Sequence, residues 1–420
     1  MNKPTKILLA TFLFFVSNNS NAQTISLSLD SCYILSRQNY PLVKQYELIK
    51  KSENYTLENI SKGLLPQIRI NGQASYQSDV TQFPKAIPGV PNLSKDQYRI
   101  AAEINQSVYD GGVSRAQKKL AEANSLAESQ NLEVQLYKIK DRVNQLFFGI
   151  LLLNEQLRQN QLFKNDIQLA LDKAEAAVKN GAALKSSAEV LKANLLEAEK
   201  KEIELQSNKT GLMDLLALFI NRPIDEKTVL VKPEPTPLAN EIKRPELLFF
   251  NYESKIIDAK NNLLISARRP KVSLFTQAGF GRPALNILSN SFDPFYIAGL
   301  RLNIPISDFY TLKNEQALNR IKQQTISIEK ETFLFNTNFQ LKQQSTDITR
   351  FQQLLQIDEQ IIPLRENIKK TSFAQLNFGV ITSSDYLREV NAENKVKLDK
   401  ILHETQLLMA EYSRQITVGE

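Results

Sequence analysis

Few residues of this chain could perform catalysis, and they do not form a recognisable constellation. The chain contains one histidine, His403, which excludes a metal site built from several histidines. A catalytic triad would depend on that residue alone. No phosphate-binding pattern of the GxxxxGK[ST] or GxGxxG type occurs. Acidic residues are numerous, but their spacing is typical of solvated helix faces. The sequence therefore predicts neither an enzyme, a cofactor nor a metal site.

The single cysteine argues against a disulfide within the chain or a lipid anchor, and the scattered basic residues argue against nucleic-acid binding. Cys32 cannot form a disulfide within the chain, and Asp30 together with the lack of a preceding apolar run disfavours lipid attachment. The net charge is +7, but the basic residues are scattered along the chain. The sequence therefore does not predict a nucleic-acid-binding surface.

The N-terminus has the pattern of a secretory signal peptide. Lys3 and Lys6 precede an apolar run at residues 7–16, and small residues follow at 20–22. We therefore expect a signal peptide at residues 1–22, cleaved after Ala22. The apolar run is too short to span a bilayer. The alternative is an uncleaved apolar terminus, which mapping of the mature N-terminus would reveal.

The chain contains an internal duplication with a long period. The segment Pro-Gln-Ile-Arg-Ile at 66–70 resembles Pro-Lys-Val-Ser-Leu at 270–274. Residues 105–110 align with 303–308 at an offset of 198, and Gly181 aligns with Gly379 at the same offset. Matches in the same order and at the same spacing indicate two structural repeats. The alternative is a chance alignment of helical sequence.

Each repeat is predicted to contain a helix, two strands, a very long helix, a tight turn and a final helix. The first repeat spans residues 23–221, with strands at about 66–78 and 97–108 and helices at about 113–180 and 186–220. A proline-rich connector, 222–244, is expected to be extended. The second repeat spans 245–420, with strands at about 270–281 and 294–306 and helices at about 311–378 and 383–416.

The predicted strands alternate between apolar and polar residues, which places the two kinds on opposite faces of a sheet. The polar positions, which would suit a wet lumen, are Arg69, Asn71, Gln73, Arg99, Glu103 and Arg301. Aromatic residues at the loop-side strand ends, where a membrane girdle would lie, are Tyr76, Tyr98, Phe280 and Tyr296. Alternation alone favours a soluble sheet, but the strand length, the aromatic ends and the polar face favour a membrane barrel.

Membrane insertion of such strands would require several copies of the chain. No segment after the signal has 18 consecutive apolar residues, so a membrane-spanning chain of this sequence would need a closed barrel of strands. Four strands cannot close a barrel, because known membrane barrels begin at about eight. Three copies would contribute twelve strands in a closed ring.

The predicted long helices exceed the length of ordinary globular helices. Residues 114–180 contain one glycine and no proline, and residues 312–378 contain one proline, Pro363, and no glycine. Each stretch of 67 residues would extend for roughly 100 Å. Pro363 predicts a local kink or a lost hydrogen bond. Apolar residues at helical spacing predict packing against neighbouring helices. The alternative for these helices alone is a coiled-coil rod.

Several short motifs resemble the TolC family of outer-membrane efflux proteins across nearly the whole chain after residue 22. Two motifs resemble the first helix of the family: Leu-Asp-Ser-Cys at 29–32 and, after it, Asn-Tyr-Pro-Leu at 39–42. Tyr-Asp-Gly-Gly at 109–112 resembles its strand-to-helix turn. Arg-Pro-Glu-Leu at 244–247 resembles the start of its second half, and Asn-Ile-Pro-Ile at 303–306 the end of its last strand. Their order and duplication make the resemblance specific.

The resemblance implies a passive exit duct for efflux or type I secretion. It implies a mainly α fold with a small β part, assembled as a homotrimer. A twelve-strand barrel would lie in outer-membrane lipid and continue into a twelve-helix periplasmic tunnel. The implied partners are a periplasmic membrane-fusion adaptor and an inner-membrane pump of the RND or ABC type. The alternative function is a soluble periplasmic coiled-coil adaptor or structural protein, which would have a single helical hairpin.

The resemblance also identifies candidate residues at the periplasmic end. The turns expected to contact the adaptor are Gly181, Ala182, Ala183 and Leu184 in the first repeat and Gly379, Val380, Ile381 and Thr382 in the second. Asp385 matches a family aspartate that helps to form a ring at the tunnel constriction, whereas Arg388 occupies the position of a second such aspartate. Glu189 is the nearest acidic residue after the first turn. The alternative role of Asp385 is capping of the helix N-terminus.

Overall fold

The computed structural model describes residues 26–81, 93–225, 227–235 and 241–420. The predicted signal peptide and its cleavage site lie outside the described residues, as does the central part of the first strand-to-strand loop. The fold is mainly helical with a small β part, which confirms that expectation from the sequence.

The first repeat begins with a short strand and a helix that is interrupted at a proline. Its elements are β1 Ser26–Leu27, α1 Leu29–Asn39, a 3₁₀ turn Pro41–Lys44, α2 Gln45–Lys62, β2 Gln67–Tyr76, β3 Asp96–Tyr109, α3 Val113–Tyr137, α4 Ile139–Lys179 and α5 Lys185–Ile220. Tyr40 adopts an extended backbone before Pro41. A proline disfavours the helical conformation of the residue before it, which explains the break.

The second repeat has the same order of elements. After β4, Val229–Leu230, come α6 Pro245–Ala267, β5 Lys271–Arg282, β6 Asp293–Asn303, α7 Phe309–Asn377 and α8 Ser383–Val418. Helix α7 continues through Pro363. Because proline has no backbone N–H, the carbonyl four residues earlier has no helical donor at that point. In the connector, β4 pairs in parallel with β1.

The long helix expected at 113–180 is divided into α3 and α4 by Lys138. The backbone of Lys138 retains right-handed helical angles, so the interruption changes the hydrogen bonding rather than reversing the chain. The neighbouring Tyr137 hydroxyl donates to the carbonyl of Ile416, 2.8 Å away, near the end of α8. The sequence around Lys138 contains no proline or glycine that would have predicted the break.

The two strand pairs form one antiparallel sheet with the order β2-β3-β5-β6. The two repeats meet at β3 and β5, where Ile100 lies opposite Phe280. The register shifts between Ser107 and Tyr109, which is a β-bulge near the end of β3. Strands β2 and β6 are the two edges of the described sheet.

The strand-to-helix turns of the two repeats are built differently. In the first, the Asp110 carboxylate accepts hydrogen bonds from the backbone N–H groups of Gly112 (2.8 Å) and Ser114 (2.7 Å). Gly111 and Gly112 have positive φ there. In the second, α7 begins directly at Phe309, and its cap, Asp308, makes no side-chain capping bond.

The helices form two regions along the long axis of the chain. Nearest the sheet, α3 packs between α2 and α6, and α7 packs against α6. Farther away, α4–α5 and α7–α8 form two helical hairpins joined through α4 and α8. One core lies around Phe147, Phe148 and Cys32, and a second lies near the hairpin turns around Ile167, Leu191 and Val390. Burial raises the pKa of the Cys32 thiol to about 12, so the thiol stays protonated at neutral pH.

Candidate functional site

One face of the sheet is apolar and exposed to the surroundings. The register places alternate residues of neighbouring strands side by side, so Ile68, Ile104 and Thr276 lie on one face. The exposed large aliphatic side chains of this face include Ile68, Ile70, Ile100, Ile104, Leu274, Leu300 and Leu302. Ile70, in the middle of edge strand β2, is 74% exposed. A contiguous exposed apolar patch of this kind marks a surface that contacts lipid or protein.

The polar residues singled out in the sequence lie together on the opposite face. Arg69 pairs with Glu103, and Gln73 pairs with Arg99. Arg301 pairs with Ser273. The register from β3 through β5 to β6 keeps odd-numbered residues on one face, so Arg301 lies on the same face as Arg99. All six predicted lumen-facing residues therefore share this polar face.

The four aromatic residues predicted to form a girdle lie on the apolar face near the loop-side end of the sheet. Tyr98 lies opposite Ala74, and Tyr296 lies opposite Ala278. Tyr76 ends β2, and Phe280 is near the end of β5. All four side chains are exposed.

Sequence reasoning missed aromatic residues at the other end of the sheet. Tyr109 lies opposite Val272, which places it on the apolar face beyond the bulge. Phe309 and Tyr310, which follow β6 at the start of α7, are also exposed. The signal was present in the sequence, because Tyr109 belongs to the Tyr-Asp-Gly-Gly motif already noted.

Both lateral edges of the chain carry surfaces without a partner within the described residues. Edge strand β2 follows α2, and edge strand β6 precedes α7, so each edge consists of a strand and a helix. On α7, Ile321, Ile328, Phe335 and Phe339 are exposed. At about 100° per residue they lie on the side opposite buried Asn319 and Thr337. On α2, Leu48 and Tyr55 are exposed in the same way.

The two hairpin turns are nearly identical in backbone structure. Gly181 and Gly379 have φ of 73° and 69°. The N–H of Ala182 donates to the carbonyl of Ala177 (2.8 Å), and the N–H of Val380 donates to that of Gln375 (2.9 Å). This is the Schellman arrangement that ends a helix at a left-handed glycine.

Replacing Gly379 by alanine should lower the stability of the protein by about 1 kcal/mol, because left-handed backbone angles are unfavourable for a residue with a Cβ. No atom lies within 4 Å of the added Cβ, so the effect is purely conformational. Gly211 is the matched control, since it is exposed within α5 and also has open space around it. Gly211→Ala should stabilise by about 0.5–1 kcal/mol. Chemical denaturation of both variants measures the change in the free energy of unfolding. A change of the same sign in both variants would contradict this explanation.

A cavity of about 850 Å³ separates the two hairpin turns. Ala177, Ala182 and Leu184 line it from the first turn, and Phe378 and Ile381 line it from the second. Phe378 is 84% exposed, and Leu184 and Val380 are also exposed. The turns therefore present apolar side chains around a groove at the end of the molecule.

The candidate aperture residues are engaged in local contacts at the helix starts. Thr382 and Asp385 form a capping box, in which the Asp385 N–H donates to the Thr382 hydroxyl. The hydrogen bond from that hydroxyl holds the pKa of the Asp385 carboxyl below its usual value, and Arg388 adds to the effect. Arg388 lies 3.7 Å from Asp385, and Glu189 pairs with Lys185 at 3.2 Å. Asp385 is therefore ionised at neutral pH and partly balanced by Arg388.

Two features are absent from the described ranges of the chain. None of their helices has an apolar stretch long enough to cross a membrane. No group of three or more histidine, cysteine, aspartate or glutamate residues there is arranged to hold a metal ion.

Comparison of the sequence with known families gave one match. Residues 33–211 match the family described as outer membrane efflux protein. A comparison with curated protein sequences gave no significant match. The alternative hypothesis of a single helical hairpin does not fit, because the described residues form two helical hairpins and a four-stranded sheet.

Comparison of the fold with solved structures gave several similar proteins. The outer membrane protein VceC of Vibrio cholerae has a TM-score of 0.67 at 13% identity, covering 93% of this chain and 96% of that one. The CmeC outer membrane channel of Campylobacter jejuni has a TM-score of 0.65 at 13% identity, covering 93% and 85%. The open-state MtrE outer membrane channel of Neisseria gonorrhoeae has a TM-score of 0.64 at 16% identity, covering 99% and 96%. The family match over residues 33–211 and this shared fold make the chain similar to outer membrane efflux proteins.

Proposed function

We propose that this protein is the outer-membrane channel of an efflux or type I secretion system, a passive duct built from three copies of the chain. The observation that carries the proposal is the two-faced sheet, which is apolar on one face, polar on the other and open at both edges. A soluble monomer would expose that apolar face to water. In lipid, the same face is buried and the polar face lines an aqueous lumen.

The dimensions of the sheet suit a bilayer. Tyr98 and Tyr109 lie near opposite ends of β3, about 36 Å apart at roughly 3.3 Å per residue. A strand tilt of about 40° reduces this to about 28 Å across the membrane, close to the roughly 25 Å apolar band of outer-membrane barrels. The two aromatic belts would then lie at the two membrane surfaces.

The free edges support closure by association. Unpaired backbone groups at a sheet edge in lipid cost several kcal/mol each, so β6 of one copy would pair with β2 of the next. The helix edges would meet in the same contact, α7 against α2 of the neighbouring copy. Three copies contribute twelve strands and a closed wall of helices below them.

The hairpin turns are the proposed contact with a periplasmic membrane-fusion adaptor, which would couple the duct to an inner-membrane pump. The exposed apolar residues Leu184 and Phe378 line the groove between the turns, which favours an apolar partner segment. Asp385 and Arg388 lie one helical turn beyond this groove. A ring of three Asp385–Arg388 pairs at the aperture would be less acidic than a ring of carboxylates alone.

Expression of the full chain in a Gram-negative host tests the proposal. We expect the protein in the outer-membrane fraction, a detergent-requiring trimer after purification, and ion conductance when the trimer is added to planar bilayers. Crosslinking from Leu184 and Phe378 should capture a periplasmic adaptor. A water-soluble monomer without conductance would reject the channel, whereas a conducting trimer that captures no adaptor would reject only the docking surface.

A further inference from the structure

The polar face of the sheet contains two aromatic residues, and each lies directly opposite a glycine on the neighbouring strand. Phe275 of β5 pairs with Gly299 of β6, and Phe295 of β6 pairs with Gly279 of β5. A Cβ on Gly299 would come within 3.0 Å of the Phe275 ring, and a Cβ on Gly279 would overlap the carbonyl oxygen of Ile100. The Phe275 ring therefore lies over the backbone of Gly299, whereas the space beside Gly279 is filled by Ile100 and Ala101 of β3.

An arginine lies over each of these rings. The guanidinium carbon of Arg99 is 4.6 Å from the centroid of Phe295, and that of Arg301 is 4.8 Å from the centroid of Phe275. The Nη2 group of Arg99 also donates to Gln277 Oε1, 2.8 Å away. Cation–π contact of this kind holds the planar group against the wall while its remaining N–H donors face outward.

The positive charges of the polar face exceed its negative charges. The strand register places two acidic residues on this face, Glu103 and Asp293. It places four basic residues there, namely Arg69, Arg99, Lys271 and Arg301. No ion pair joins Arg99 or Arg301 to a carboxylate anywhere in the described part of the chain. On the apolar face, by contrast, Arg282 is paired with Asp96.

We propose that the two Phe–Arg pairs, Phe295 with Arg99 and Phe275 with Arg301, form two collars of positive charge that make the barrel favour anionic solutes. The inference rests on the proposed trimeric channel, in which the polar face lines the lumen. Arg99 lies opposite Gly281, and Arg301 lies opposite Ser273, so the collars are about 26 Å apart along the strands at roughly 3.3 Å per residue. Three copies would place three guanidinium groups in each collar.

The expected selectivity follows from electrostatic focusing. The low dielectric of the barrel wall and the surrounding lipid concentrates the field of fixed charges into the aqueous lumen, which raises the local concentration of counter-ions. Because the arginines are fixed against phenylalanine rings, their charges stay at the wall and leave the passage open. The cargo class indicated is therefore organic anions, or solutes with an anionic group.

Reversal potentials measured across a KCl gradient in planar phosphatidylcholine bilayers test this inference. The purified trimer should show a chloride-to-potassium permeability ratio that falls by at least about twofold in the double variant Arg99→Gln/Arg301→Gln. The matched control, Arg99→Lys/Arg301→Lys, keeps the charge and should retain most of the ratio. The single variant Arg99→Gln should show a smaller decrease in the permeability ratio. It replaces the double variant in the test if the double variant assembles poorly.

The outcomes separate the collars from the channel. All variants share the same helical tunnel and hairpin turns, so a difference between them reports the barrel. An unchanged ratio in the glutamine variants, or an equal loss in the lysine variant, would overturn the collars while leaving the channel intact. A parent protein that does not conduct at all would contradict the proposed channel, and the collars with it.

Discussion

Replacing Phe335 by aspartate should abolish the trimer and leave a folded monomer. Phe335 is 70% exposed and lies in the middle of the apolar stripe of α7 that contains Ile328 and Phe339. In the proposed assembly this stripe packs against α2 of the neighbouring copy. An unpaired carboxylate buried there costs about 3–5 kcal/mol at each contact, and the ring contains three such contacts.

The measurement is size-exclusion chromatography with light scattering in detergent, together with the heat-resistant trimer band on gels. Ser327→Asp is the matched control, because Ser327 is exposed on the same helix but lies about 100° away from Ile328. It should leave the trimer unchanged. Circular dichroism should show the same helix content in both variants. A stable trimer of Phe335→Asp would show that the apolar stripe of α7 is not the subunit contact.

The strands and the hairpin turns show how much of this fold one sequence can predict. The alternation of residues 68–76 and 98–104 follows from the two-residue period of a strand, which is a local property, so it predicts which side chains share a face. The glycines of the hairpin turns are predictable for the same reason, because positive φ is a property of single residues. Elements that depend on one residue and its immediate neighbours are therefore visible in the sequence.

The register and the long-range contacts could not be predicted in this way. Pairing Phe275 with Gly299 rather than with a neighbouring residue depends on the geometry of the loop between β5 and β6. The interruption at Lys138 has no local signal, and it lies where Tyr137 contacts the far end of α8. The resemblance to a family motif singled out Asp385. Glu393 lies eight residues further along α8 and is more deeply buried, but it belongs to no motif, so the sequence did not indicate it.

Glu393 is the centre of an ion network that joins three helices near the hairpin turns. Its carboxylate is 2.9 Å from Lys369 of α7 and 2.7 Å from Lys397 of α8. Lys369 also contacts Asp166 of α4 at 2.8 Å, and Lys397 contacts Glu366 at 2.8 Å. The Glu393 side chain is only 3% exposed. The contact between Lys369 and Asp166 connects the second hairpin to the first, and the buried carboxylate of Glu393 holds Lys369 in the network.

The variant Glu393→Gln should destabilise the protein by about 3 kcal/mol, because it leaves two partly buried ammonium groups without their shared carboxylate. The matched control is Glu204→Gln, whose single partner, Lys201, is exposed; exposed pairs contribute about 0–1 kcal/mol. Chemical denaturation of the detergent-solubilised trimer at pH 7 measures both. A loss in Glu393→Gln no larger than in the control would show that the network does not stabilise the hairpin region.

The pH dependence distinguishes the ion network from a simple packing effect. Burial by itself would raise the pKa of Glu393, but the hydrogen bonds and charges of Lys397 and Lys369 outweigh burial and hold the pKa below its ordinary value of 4.5. A carboxylate with a lowered pKa in the folded state contributes stability above its unfolded pKa, and that contribution is lost as the pH falls through the folded value. The stability difference between the parent and Glu393→Gln should therefore be constant near pH 7 and shrink once the pH falls below about 4.5. A difference that stays constant down to acid pH would show that the ionisation of Glu393 is not the source of the stability difference.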